Sequence, residues 1–157
     1  MSSQTILQLC LVAHISGFTI MAGTVIADFS VIRRMKKYLF TDKPKALAIL
    51  EGSAAFPALI GAGAALLITT GLGMAFIFKA AVTSMLWFRI KMVLVLLVLI
   101  NGIAIARPTL IKLRGLLAQT PAAGDRPIEG IIGRLRIIYV AQLIMFLTIF
   151  VLSVFRF

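Results

Sequence analysis

The residues best suited to chemistry lie along one face of an apolar N-terminal segment. His14, Met21 and Asp28 follow one another at seven-residue intervals, which on an α-helix places them within about 40° of one face. An imidazole there can ligate haem iron or carry a proton, and a thioether or carboxylate on the same face can assist it. Alternatively, His14 is hydrogen-bonded across a helix bundle and fixes packing only. The spacing leaves both interpretations open.

A second polar position accompanies a tryptophan later in the chain. Lys91 lies one helical turn after Trp87, and tryptophan anchors helices at membrane interfaces. We expect Lys91 at nearly the same depth as His14, where its ammonium can neutralise an anionic group beside the imidazole. The alternative is snorkelling, in which the lysine stem lies along the helix and its charge reaches the head groups.

Two carboxylates and an amide complete the set of polar candidates. Asp28 and Glu51 lie in neighbouring apolar segments, where they can form one end of a proton path or pair with nearby Lys and Arg. A charged group at the bilayer centre costs at least about 2.5 kcal/mol, so each one needs a partner or a function. We predict that Asn101 ties two helices together by a hydrogen bond.

The composition determines the class of protein that must position these residues. Hydrophobic residues make up 61% of the 157, above the roughly 45–50% of soluble domains, and the mean hydropathy is +1.09. The formal charge of +11 would suggest a nucleic-acid partner, but the cations lie between apolar runs. We therefore predict a lipid bilayer, and no nucleic acid, as the partner. The single cysteine, Cys10, excludes an internal disulfide.

Four apolar segments predict the fold. We place them at about residues 6–32, 43–71, 87–106 and 135–155, in one transmembrane domain covering 1–157. Asp42 and Pro44 favour a helix start near Lys43, as cap and first-turn residue. The segment Thr120 to Gly130 reads as a soluble loop. The expected fold is all-α, an integral membrane four-helix bundle.

The distribution of positive charge predicts the orientation. Two connections carry six Lys or Arg residues each: Arg33, Arg34, Lys36, Lys37, Lys43 and Lys45 in the first, and Arg107, Lys112, Arg114, Arg126, Arg134 and Arg136 around the third. Basic residues in short loops stay in the cytoplasm. We therefore expect both termini on the non-cytoplasmic side of a multi-pass protein in the bacterial inner (plasma) membrane.

Several of these features together resemble a known family. They are His14 with Gly23 and a basic cluster behind it, Glu51 opening the second helix, Gly71 closing it, and Trp87-Phe88-Arg89-Ile90-Lys91 before an apolar run. The pattern is similar to the small four-helix membrane family that includes the non-flavin protoporphyrinogen oxidase of bacteria. The chain departs from that family at the last helix, where Arg134-Leu135-Arg136-Ile137-Ile138 replaces an Asn-Glu-x-Pro segment. Asn101 also lies where a histidine is expected.

The resemblance implies the fold and a haem or porphyrin pocket rather than a particular reaction. In that pocket His14 would be the iron ligand and, with Lys91, the catalytic pair, while Met21 and Trp87 would line a haem b site. An oxidoreductase acting on a porphyrinogen is then one hypothesis. A second is a non-enzymatic subunit or assembly partner, as a homo-oligomer or within a larger membrane complex. A third is a small proton-coupled transporter that uses Asp28 and Glu51 and acts as an oligomer.

Overall fold

The computed structural model describes residues 3–78, 85–118 and 126–155. Within these ranges the chain forms six α-helices and one π-helical segment. They are α1 (Ser3–Tyr38), α2 (Lys43–Glu51), α3 (Phe56–Phe78), α4 (Leu86–Ile100), the π-helical segment (Asn101–Ala106), α5 (Arg107–Ala118) and α6 (Arg126–Val154). The prediction of an all-α fold is confirmed for the described residues. Helix α6 starts inside the loop predicted for Thr120 to Gly130, and the earlier part of that loop lies outside the described residues.

The helices combine into four long apolar elements, which we number spans 1 to 4. Their bounds are Gln4–Tyr38, Lys43–Ile77, Leu86–Ala118 and Ile128–Val154, and each is long and apolar enough to cross a bilayer. Span 1, with 35 residues, measures about 50 Å, against about 30 Å for a hydrocarbon core. The prediction of four such helices is confirmed, although each extends past at least one predicted bound.

Charge distinguishes the two ends of the bundle. α1 and α5 end, and α2 and α6 begin, at the same end, which we call the basic end because it carries the Lys and Arg clusters. The sequence predicts the end of span 1 at Ile32, but α1 continues through the basic cluster to Tyr38. Cations are favourable in the last turn of a helix. Met35 and Leu39, each fully buried, also attach this segment to the core.

Span 2 consists of two helices rather than one. α2 begins as predicted, with Asp42 as its N-cap and Pro44 in its first turn. The chain then turns at residues 52–55 before α3 starts. Pro57 explains the break, because in a continuous helix its ring would clash with the carbonyl of Ser53 and it has no N–H to donate.

Span 3 contains an irregular stretch of its own. In the π-helical segment, the Arg107 N–H bonds to the Gly102 carbonyl, five residues back. Pro108 follows directly and lacks an N–H, and a local change to π register accommodates such a defect. Asn101 begins the segment and donates a 2.5 Å hydrogen bond to Oε1 of Gln142 in span 4. The predicted tie between helices at Asn101 is confirmed.

Spans 1 and 4 are central, and spans 2 and 3 flank them. In the apolar windows of spans 1 and 4, 22% and 28% of the residues are buried, against 6% in each of the other two. α3 packs along α1, and α6 packs on both α1 and α4. α2 and α5 meet at the basic end. Among the described helices, the flanking spans therefore join at the basic end.

Two kinds of contact hold the central helices. α1 and α3 touch at glycines: a Cβ added to Gly63 would lie 2.9 Å from the carbonyl oxygen of Gly17. α1 meets α6 through Phe18, whose ring stands edge-on to Phe146 with centroids 5.7 Å apart. The largest fully buried side chains gather toward the basic end, and they are Ile32, Met35, Leu39, Leu50, Ser53, Leu113 and Leu135.

Candidate functional site

His14 lies at the contact between α1 and α3, away from the basic end. Its Nδ1 is 2.9 Å from the hydroxyl oxygen of Thr70. The ring packs against Gly71, where an added Cβ would come within 3.3 Å of His14 Cε1. The glycine therefore leaves space that the imidazole fills. The half-buried ring is held on one side by a polar partner and on the other by backbone.

The hydrogen bonds of Thr70 favour one of the two neutral tautomers of His14. The Thr70 hydroxyl donates to the Leu66 carbonyl at 2.5 Å. A hydroxyl has one hydrogen to donate, so toward His14 the same oxygen acts as the acceptor. This arrangement favours the tautomer with the proton on Nδ1, in which Nε2 of the neutral ring carries the lone pair. The Leu67 carbonyl is a further acceptor near the ring. A metal-ligating histidine is oriented in the same way, with its second N–H donated to a fixed acceptor.

Lys91 lies in span 3 and contacts span 4, whereas His14 lies between spans 1 and 2. Its ammonium donates a 2.8 Å hydrogen bond to the Ser153 hydroxyl, whose own hydrogen goes to the Ile149 carbonyl at 2.7 Å. Lys91 thus joins span 3 to span 4 while its charge acts on the His14 imidazole. The two predicted catalytic residues, His14 and Lys91, are therefore near enough to interact electrostatically. His14 is hydrogen-bonded to α3, and Lys91 is hydrogen-bonded to α6.

Met21 and Trp87, the two residues predicted to line a haem site, contact different parts of the protein. Trp87 donates its indole N–H to the sulfur of Met85 at 3.2 Å and stands edge-on to Phe88. Met21 is buried at 3% exposure, and its Cβ lies against Gly63. Seven residues of helix separate it from His14 by about 10 Å. This spacing suits packing along one helix contact rather than shared ligation of one metal ion.

Asp28 is part of a second polar cluster, nearer the basic end. Its carboxylate is 3% exposed and accepts a short hydrogen bond from the Tyr139 hydroxyl, which links spans 1 and 4. Ser53, at the break in span 2, lies near the same carboxylate, while its own hydroxyl donates to the Leu50 carbonyl at 2.8 Å. The Arg114 guanidinium is near enough to act on the carboxylate electrostatically. We call Asp28, Ser53, Arg114 and Tyr139 the Asp28 cluster. All four spans contribute one residue each.

Glu51 is not part of the Asp28 cluster. It is the last residue of α2 and is exposed, whereas Asp28 is buried. Within the described contacts the two carboxylates are not joined by a hydrogen-bonded chain. A proton path that uses both therefore stays a prediction.

The sequence did not reveal the hydrogen-bond partners of His14, Lys91 and Asp28. Thr70, Ser153 and Tyr139 lie 56, 62 and 111 positions from the residues they contact, and no local pattern connects such distant positions. One signal was available: Tyr139 is one of only two tyrosines and lies inside an apolar span, where a hydroxyl needs a partner.

The donor set limits what this chain could hold. Among the described residues, no group of three or more His, Cys, Asp and Glu side chains could hold a metal ion. A bound metal would therefore take one imidazole from this chain, and haem iron is compatible with such a single protein ligand. Comparison with protein-family models, with curated proteins and with solved structures gives no match for this chain.

Proposed function

We propose that the chain is a multi-pass protein of the bacterial inner membrane, crossing it four times with both termini on the non-cytoplasmic side. Four apolar spans support this placement. The sidedness rests on the Lys and Arg clusters at the basic end, which resist translocation. His14 and Lys91 would then lie in the non-cytoplasmic half of the membrane.

Within that membrane we propose a haem- or porphyrin-binding site at His14. The observation that carries the proposal is the hydrogen bond from Nδ1 to Thr70, which leaves Nε2 of the neutral ring with its lone pair. When bound, haem b would supply electron transfer. His14 would ligate the iron, and Thr70 would hold the ring in the ligating tautomer.

Lys91 supplies the charge that an anionic porphyrin requires. Its ammonium is held by Ser153 and acts on His14, so a propionate beside the imidazole would lie within its field. Trp87, one turn away, would lie at the rim. An oxidoreductase of the protoporphyrinogen oxidase type is the activity we propose. In such a reaction the substrate loses electrons and protons, and an external oxidant would accept the electrons. His14 Nε2 would accept a proton only when it does not ligate iron, and the Lys91 ammonium would hold a propionate of the substrate.

An absorption spectrum of the purified protein tests the site. After haem-supplemented expression and extraction in mild detergent, the wild type should show a Soret band and His14→Ala should lose or shift it. Thr70→Val should weaken haem binding about 10- to 100-fold, as expected for loss of a residue that orients a metal ligand. Thr69→Val is the matched control, because among the described residues the exposed Thr69 hydroxyl bonds only within its own helix. A wild type that takes up no haem would refute the proposal.

A second candidate is a non-enzymatic subunit that associates with its own copies or with a larger membrane complex. The observation in its favour is an exposed face of small residues on α3, consisting of Ala58, Gly61, Ala62 and Ala65. Such faces let helices approach closely in lipid. Gly61→Leu should then dissociate the oligomer in cross-linking assays. Gly115→Leu is the control, because Gly115 has the same open surroundings on α5.

A further inference from the structure

The irregular stretch of span 3 lines a cleft that shares no lining residue with the His14 site or with the Asp28 cluster. The cleft has a volume of about 250 Å³ and lies between spans 3 and 4 at the basic end. Ile105, Pro108 and Ile131 are among its apolar walls, and Lys112 and Arg134 supply its charge. It therefore combines an apolar interior with two cations from different helices.

The hydrogen bonds of the local backbone determine which donors in the cleft are available to a ligand. Pro108 is the second residue of α5, just after the π-helical segment, and the Thr109 hydroxyl donates to the Ile105 carbonyl at 2.6 Å. Thr109 has thus used its only hydrogen within the helix, so the two cations are the donors available to a ligand. Both side chains are exposed. In the described part of the chain, neither Lys112 nor Arg134 has an ion-pair partner.

We propose that this cleft binds the phosphate of an anionic phospholipid, with Lys112 and Arg134 on the phosphate and the acyl chains along the apolar wall. Paired cations between helix ends on the cytoplasmic side recognise acidic lipid head groups, and arginine can bind phosphate bidentately. The inference rests on the membrane placement proposed above, and it does not depend on haem. A free phosphate would need the same cations but would gain nothing from the apolar wall.

Lipid retention by the full chain tests this site. In nanodiscs containing phosphatidylglycerol and phosphatidylcholine, we expect selective capture of phosphatidylglycerol, measured by mass spectrometry of the co-purified lipid. Lys112→Gln/Arg134→Gln should weaken that selectivity about ten- to thirtyfold, since the phosphate loses two charged hydrogen-bond donors that the control variant keeps. Lys36→Gln/Arg136→Gln removes the same charges from exposed positions at the same end and should retain the selectivity.

The other outcomes would overturn the proposal. Equal loss in both double variants would indicate attraction to the whole basic surface rather than binding in the cleft. Displacement of the lipid by millimolar inorganic phosphate, or equal capture of phosphatidylcholine, would assign the cations to a free anion or to no ligand. Failure of the wild type to enter nanodiscs would refute the membrane placement itself, whereas an absent Soret band would leave the lipid result unaffected.

Discussion

The Tyr139 hydroxyl donates a hydrogen bond to the buried Asp28 carboxylate, which joins the two central spans of the bundle. A carboxylate in such surroundings depends on its donors, because unmade hydrogen bonds in an apolar interior cost more than made ones contribute.

Tyr139→Phe should destabilise the protein by about 1–3 kcal/mol, because the Asp28 carboxylate loses its donor from span 4. Thermal unfolding in detergent measures the effect as a lower Tm. Tyr38→Phe is the matched control: Tyr38 is the other tyrosine, and its ring contact with the Lys45 ammonium at 4.1 Å does not need the hydroxyl. In the double variant Asp28→Asn/Tyr139→Phe, the loss should be smaller than the sum of the two single losses. Additive losses would show that the pair is not coupled.

Gly63→Ala should separate α1 from α3. The new Cβ would lie 2.9 Å from the Gly17 carbonyl and 3.1 Å from Met21, and overpacking of this kind costs about 1–3 kcal/mol. Gly61→Ala provides the comparison two positions away, since a Cβ there meets no atom of the described residues within 4 Å and alanine favours helix. We expect a lower Tm for the first variant and an unchanged or higher Tm for the second. The opposite order would contradict the close contact of the two glycines.

Replacements of Lys91 should distinguish the effect of its charge on haem retention from iron ligation by His14. Lys91→Ala should weaken haem retention about tenfold through loss of a charged hydrogen-bond donor, while a Soret band persists because His14 remains. Lys91→Arg keeps the charge on a larger planar group and should give an intermediate result in haem titration. Loss of the Soret band in Lys91→Ala, with normal folding, would instead assign iron ligation to a site that includes Lys91.

Cysteine labelling tests the orientation. In a Cys10→Ala background, which removes the single native cysteine, a cysteine at Gly124 should react with impermeant reagents only from the cytoplasmic side. A cysteine at Ser2 should react only from the other side. Both positions lie outside the described residues, and the expectation rests on the charge distribution. Reversed labelling would overturn the proposed sidedness.

Length, hydropathy and cap residues made the four spans predictable from the sequence. The Asp42 cap and the Asn101 tie were also predictable, because a capping side chain acts locally and a polar amide inside an apolar span needs a partner. The helix break before Pro57 and the π register before Pro108 were not predicted. In both cases the proline marks a defect, but packing against other spans decides which backbone geometry accommodates it.

The partners of the polar residues could not be predicted for a different reason. A helix in lipid is apolar on nearly every side, so hydrophobic periodicity does not reveal which face meets which neighbour. The seven-residue spacing correctly put His14, Met21 and Asp28 on one face. It could not show that His14 meets Thr70 while Asp28 meets Tyr139, two contacts with different spans.

The junction of the flanking spans at the basic end affects how a molecule would reach His14. Met35, Leu39, Leu50 and Leu113 fasten the spans there, whereas within the described residues the far ends of α3 and α4 share no comparable core. Local opening is easiest where the fewest apolar contacts are lost, so we expect spans 2 and 3 to move apart first at the far end. His14 would then be reached sideways from the lipid, and solubility in the bilayer would select ligands before the imidazole does.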